Sequence, residues 1–233
     1  MEVVKSHWWK ILAVFLLLYT VIGGFLIDVP RLAILNETIR NQYFHVPMWF
    51  SMLILLTASV VFSIKYLRNS NPVSDKFAAS FAEMGIVFGI LGLLTGMVWA
   101  RFTWGAWWVN DPKLNCAVIA LLIYLAYAVL RNSVEDVQQK ARISAVYNIF
   151  AFATLIPLLF ILPRMTDSLH PGNGGNPGFN IYDLDNKLRL IFYPAVIGWT
   201  LMGVWLVSLN IRIKNIKDKI YDVQLNEEAQ KAV

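Results

Sequence analysis

Six long apolar stretches, separated by short polar connections, decide what this chain can become. They fall at about 8–27, 46–64, 77–100, 114–130, 143–162 and 190–211. A helix needs about 20 apolar residues to cross the hydrocarbon of a bilayer. Inside lipid, an isolated segment satisfies its own backbone groups only as a helix. Each stretch is therefore expected to be a transmembrane helix, and residues 1–233 a single all-α bundle of six such helices, with no soluble domain left over. Only 15% of the residues are charged, against roughly 25% in soluble domains. The first stretch has no small-residue cleavage site and exceeds the apolar core of a signal peptide, so it is expected to remain as a membrane anchor. Cys116 is the only cysteine; at the edge of an apolar stretch it reads as a small buried hydrophobe.

The basic residues set the orientation. One side of the expected bundle carries Lys5, Lys10, Lys65, Arg68, Lys76, Arg131, Lys140, Arg142, Arg212, Lys214, Lys217, Lys219 and Lys231, which is 13 of the 20. The other carries Arg31, Arg40, Arg101, Lys113, Arg164, Lys187 and Arg189, the remaining 7. The richer side is expected to be cytoplasmic, with both termini inside. The net charge of +5 then belongs to membrane topology and gives no reason to expect nucleic acid. The connections at about 65–76 and 131–142 are short and charged, as inside turns should be. The outer ones are richer: 28–45 mixes apolar and polar residues and suits the interface. The segment 163–189 is so dense in glycine and proline around 170–178 that no regular element is expected there.

One outward connection is unlike any ordinary turn. It reads Trp104-Gly105-Ala106-Trp107-Trp108-Val109-Asn110-Asp111-Pro112-Lys113-Leu114. Asp111-Pro112 has the form of an N-cap followed by the first position of a helix. If the segment before it is helical, Trp104, Trp107, Trp108 and Asp111 share one face. Two readings are open. The tryptophans are an interfacial belt, as in many membrane proteins, or they form an aromatic shelf for a flat ligand, with Gly105 allowing close approach.

The third stretch carries Gly85, Gly89, Gly92 and Gly96, whose small-xxx-small spacing is expected to serve helix packing alone. It also holds Glu83, an intramembrane acid. That is either a functional group or a hydrogen-bonded packing residue.

There are three histidines. His7 lies beside Trp8 and Trp9 and reads as interfacial. His45 and His170 both fall on the outer side, near the tryptophan segment. Two imidazoles on opposite faces of a porphyrin are a common way to hold haem iron. Tryptophans would cover the apolar ring, and Arg101, Lys113 or Arg164 would pair with its carboxylates. Two histidines without a cysteine or carboxylate cluster suit zinc poorly. No phosphate loop, serine triad or HExxH occurs.

These residues, in this order, resemble a known family. Tyr43-Phe44-His45-Val46-Pro47, Ala82-Glu83-Met84-Gly85, Leu94-Thr95-Gly96, Trp99, Trp104 to Leu114 and Ser168-Leu169-His170 are similar to the haem-handling proteins of cytochrome c biogenesis that share a tryptophan-rich external motif. The likeness is strongest to the six-helix cytochrome c maturation protein C family and covers nearly the whole chain. It implies haem, b-type and non-covalently bound in transit, held at the outer face of a bacterial inner membrane. His45 and His170 would be the axial ligands, and Trp104, Gly105, Trp107, Trp108 and Asp111 the ring-binding segment. It also implies delivery to a periplasmic haem chaperone and work beside an ABC-type transporter complex. The chain departs from the family pattern at Asn110, where a tryptophan is usual, and at Lys113-Leu114-Asn115, where Arg-Leu-Thr is common.

The expected function is thus a haem-loading platform, with His45 as the anchoring ligand and His170, on its Gly/Pro-rich loop, as the one that lets go. An assembly factor is expected, not an enzyme, since no catalytic constellation is found. The alternatives are a membrane b-type cytochrome, which would want histidines within the bundle, and a small-solute transporter, for which Glu83 would be the coupling residue.

Overall fold

The computed structural model describes residues 7–30, 35–170 and 185–231, and among them every regular element is helical. The helices are α1 (Trp8–Leu26), α2 (Gln42–Asn69), α3 (Pro72–Trp104), α4 (Pro112–Ser133), α5 (Val137–Ile156) and α6 (Asn186–Lys231). All six are long and apolar enough to cross a membrane, as the sequence predicts.

Local chemistry sets the helix starts. Asn71 accepts a bond from the Val73 amide ahead of Pro72, and Asp136 accepts one from Gln139 at 2.6 Å. Asp111 caps α4 through the amides of Lys113 and Leu114, with Pro112 as first residue, as expected. Each cap satisfies amides that have no partner inside the helix. The segment 28–45 is only partly described. A 3₁₀ turn (Asn36–Asn41) runs directly into α2, so α2 begins before the apolar stretch does and takes His45 into its first turns. No regular element is expected over 163–189, but a 3₁₀ turn covers Leu162–Arg164 and α6 begins at Asn186, because helices on both sides run on past their apolar stretches; 171–184 lies outside the described residues.

The tightest interface joins α2 and α3. A methyl group added at Gly85, Gly89, Gly92 or Gly96 would fall 2.6 Å from Leu56, 3.0 Å from Met52, 2.9 Å from Trp49 and 2.8 Å from His45 respectively. The four glycines thus line one stripe of α3, and the ridge Leu56–Met52–Trp49–His45 of α2 lies in it. The small-xxx-small spacing does serve helix packing. It is not packing alone, however, because its Gly96 end seats a candidate ligand, His45.

Polar ties close the end of the bundle opposite the tryptophan segment. Asn148 of α5 donates to Ser59 and Ser63 of α2, and Ser59 donates in turn to the Ala78 carbonyl of α3. Arg131 of α4 grips Asp75 of α3 with two bonds, 2.8 and 2.6 Å. Glu83 accepts from Asn210 at 2.6 Å and from Lys214 at 2.7 Å, both on α6. Glu83 is therefore an interhelical tie, as the packing reading of this acid has it. The helix that receives it, α6, is 46 residues long, or about 69 Å at 1.5 Å per residue.

Candidate functional site

The end of the bundle that carries the tryptophan segment brings His45 and His170 together from positions 125 apart in sequence. Their ring centres are 6.3 Å apart, with planes inclined at 43°.

His45 is held from all sides. It is 8% exposed, and its Nδ1 lies 3.0 Å from the Gly92 carbonyl and 3.2 Å from the Thr95 hydroxyl. A carbonyl can only accept, so Nδ1 carries the proton and Nε2 keeps its lone pair. Thr95 donates its own hydroxyl back to α3 carbonyls, and Asn41 binds the Thr95 carbonyl at 2.9 Å. Trp49 and Trp99 stand edge-on to the imidazole, at 6.3 and 5.7 Å between ring centres. The Trp99 indole N–H donates to Thr38 of the 3₁₀ turn. A histidine that donates one ring nitrogen to a backbone carbonyl, with the other left basic, has the form of a metal-ligating imidazole with its supporting partner.

His170 arrives by a different route. After Ile156 the helix widens into a π turn over Pro157–Ile161 and then tightens into a 3₁₀ turn over Leu162–Arg164. The chain then passes over the N-terminus of α4, where Asp111 receives it. The Asp111 carboxylate is 2% exposed. Its Oδ1 accepts from the Ser168 hydroxyl at 2.9 Å and its Oδ2 from the Leu169 amide at 2.8 Å. Ser168 Oγ in turn accepts from the His170 amide at 3.1 Å. Burial alone would raise the Asp111 pKa. The bonds from Ser168, Leu169, Lys113 and Leu114 outweigh it and hold the carboxyl below its ordinary range. The carboxylate therefore stays charged and fully engaged with protein donors.

The tryptophan segment is not a helical face. α3 ends at Trp104, and Gly105, at φ +80°, reverses the chain in a conformation that favours glycine. The alignment of Trp104, Trp107, Trp108 and Asp111 expected of a continuous helix is thereby lost. Trp104 is half-buried at the helix end, whereas Trp107 is 55% and Trp108 37% exposed. Large aromatics left this open, in the connection that ends at the Asp111 carboxylate holding the His170 loop, leave a surface on which a flat apolar group can lie. Of the expected cationic groups, Arg101 donates to the Gly105 carbonyl and so braces the turn. Lys113 lies half-buried in the first turn of α4, and Arg164 is exposed where the 3₁₀ turn ends. These two are near enough to repel one another, a concentration of positive charge suited to an anionic group.

Sequence reasoning gave Trp49 no role and Gly96 only a packing one, and Thr95, Trp99 and Ser168 entered it only as parts of the family likeness. The signal for Trp49 was present in its i, i+4 spacing from His45. The others become visible only when α2, α3 and the loop after α5 are placed together.

Comparison with known proteins gives a consistent result. A family model described as CcmC, heme exporter protein C, matches residues 2–228. The chain is 28% identical to the heme exporter protein C of Bradyrhizobium diazoefficiens over 199 residues, covering 84% of this chain and 74% of that protein. It is 27% identical to the Paracoccus denitrificans protein of the same name, with 79% and 74% covered. Identity to the Escherichia coli K12 protein is 22%, with 79% and 71% covered.

Proposed function

Because the chain belongs to the heme exporter protein C family, we propose that it is a haem-handling protein of cytochrome c maturation which binds haem between His45 and His170 and passes it on. The family supports a multi-pass protein of the bacterial inner membrane that works with an ABC-type heme exporter complex. The finer reading is that haem is held non-covalently, as a b-type group, on the periplasmic face and is delivered to a periplasmic haem chaperone. The 13-to-7 division of basic residues supports that orientation, with both termini in the cytoplasm.

The observation that carries the reading is the pair of facing imidazoles. A metal–imidazole bond is about 2 Å, so two rings on opposite sides of one ion have centres about 6 Å apart, close to the separation observed. Bound haem supplies an iron with two axial positions. His45 offers Nε2, because the Gly92 carbonyl fixes the proton on Nδ1. His170 offers its ring from a loop secured through its neighbours. Trp49 and Trp99 keep water from the His45 side, and Trp107 and Trp108 provide an apolar surface for the ring. Lys113 and Arg164, with Arg101 at the margin, suit the carboxylates. The two ligands are unequal: His45 sits in a helix walled on every side, whereas His170 belongs to a loop held by a few hydrogen bonds. Release at His170 is accordingly the step that frees the cargo.

The test is the absorption spectrum of the purified protein with added haem. Wild type should be six-coordinate and low-spin. His170→Ala should retain haem with an altered spectrum that added imidazole restores. The double variant with His45→Ala should lose stoichiometric haem. A wild-type spectrum at full occupancy in the double variant would refute the ligand pair.

A further inference from the structure

From the position of Asp111 we infer that it is a positioning residue for the ligand His170: its carboxylate fastens the 168–170 segment to the N-terminus of α4 and so fixes His170 opposite His45. The inference rests on the ligand reading above and adds a role for Asp111 distinct from contact with the ring.

The carboxylate is almost wholly buried, and its bonds go to protein donors on two separate segments. On the α4 side Oδ1 accepts from the Lys113 and Leu114 amides. On the loop side Oδ1 accepts from the Ser168 hydroxyl, and Oδ2 from the Leu169 amide. Ser168 then receives the amide of His170 itself. A charged acceptor strengthens each of these bonds relative to a neutral one. Asp111 also ends the tryptophan segment, three residues after Trp108. The aromatic surface and the loop ligand thus share one anchor, and neither can shift far without straining the other. The four bonds the carboxylate accepts all come from protein donors, which accounts for its burial without contact with the ring.

Two substitutions separate the functions of the carboxylate. Asp111→Asn keeps a good helix cap but replaces Oδ2 with an N–H donor that faces the Leu169 amide. Ser168→Ala leaves the cap and the Leu169 bond intact and removes the hydroxyl that joins Asp111 to the His170 amide. Helix content by circular dichroism verifies the fold of both. The first readout uses haem-free protein: hydrogen exchange in the peptide covering 165–170. Loss of one hydrogen bond to a charged acceptor should accelerate exchange on the order of tenfold to a hundredfold. The second is the spectrum with added haem. Both variants should keep haem on His45, lose the low-spin six-coordinate bands in part, and regain them with imidazole.

If exchange in both variants matches wild type, Asp111 does not fasten the loop and the inference fails. If exchange accelerates but the spectrum stays wild-type, the fastening does not position the ligand, and the inference fails. If the folded variants bind no haem and imidazole does not restore it, Asp111 acts on the haem directly, which also overturns the inference. Should wild type itself bind no haem, the ligand reading falls. The exchange data then still decide whether Asp111 fastens the loop.

Discussion

Gly96→Ala puts the seating of His45 to the most direct test. The added methyl would lie 2.8 Å from His45 Cε1, 3.2 Å from Nδ1 and 3.7 Å from Nε2. Carbon atoms settle at about 3.5–4.0 Å, so the ring or the helix must yield by roughly 0.7–1.2 Å. The ring has little room to yield. It is tied to the Gly92 carbonyl at 3.0 Å and flanked by Trp49 and Trp99. Overpacking of this kind costs about 1–3 kcal/mol. If the strain falls on the ligand, haem affinity should drop about 5- to 100-fold at 1.4 kcal/mol per decade. Gly89→Ala is the control. It crowds Met52 Sδ at 3.0 Å and Leu121 Cδ1 at 3.1 Å, on the same stripe but away from His45. Haem titration of both purified variants, read in the Soret band, separates packing from ligation. Equal affinity in Gly96→Ala and wild type, or an equal loss in Gly89→Ala, would refute the claim that the outer glycine seats the ligand.

Two further predictions concern the surroundings of the site. With Cys116 replaced by Ala, a cysteine at the exposed Asp167 should react with an impermeant reagent applied to spheroplasts, and one at Asn132 should not; the reverse pattern would turn the whole site towards the cytoplasm. Trp107 and Trp108, changed together to Ala, should weaken haem retention at unchanged protein abundance. The scale is set by stacking of a flat base on an aromatic side chain, about 1–3 kcal/mol per contact. Loss of abundance without loss of haem per molecule would make them an interfacial belt.

What could be read in the sequence depended on how local its cause was. The six spans were legible because lipid imposes one rule on each segment, whatever its neighbours do. The Asp111-Pro112 helix start was legible because capping involves only the next three residues. The tryptophan segment was misjudged in form, since a single glycine in the left-handed region ends the helix that the spacing presupposed. Glu83 left two readings open because its partner Lys214 stands 131 positions away. The same distance problem hid the seat of His45. Gly92 and Gly96 read as a packing motif until the helix opposite supplies a histidine and a tryptophan to fill it. Ser168 stood out only as part of the family likeness; what it does comes from the carboxylate that receives it, 57 positions away.

The length of α6 has a mechanical consequence. A bilayer with its headgroups is about 40–45 Å thick, so a rod of about 69 Å leaves some 25 Å standing clear of it. Near its N-terminal end, Leu188, Ile191 and Phe192 pack with Ile39 and Tyr43 beside the start of α2. Partway along it is pinned to α3 through Lys214 and Glu83, and beyond that Lys76 holds Asp218 at 2.5 Å. Those fastenings act as a fulcrum. A tilt of about 10° there would sweep the tip, some 25 Å further on, through about 4 Å. The arm from that fulcrum to Ile191, beside Tyr43, is about 35 Å, so a displacement at the histidine end is passed, somewhat reduced, to the opposite tip of the rod.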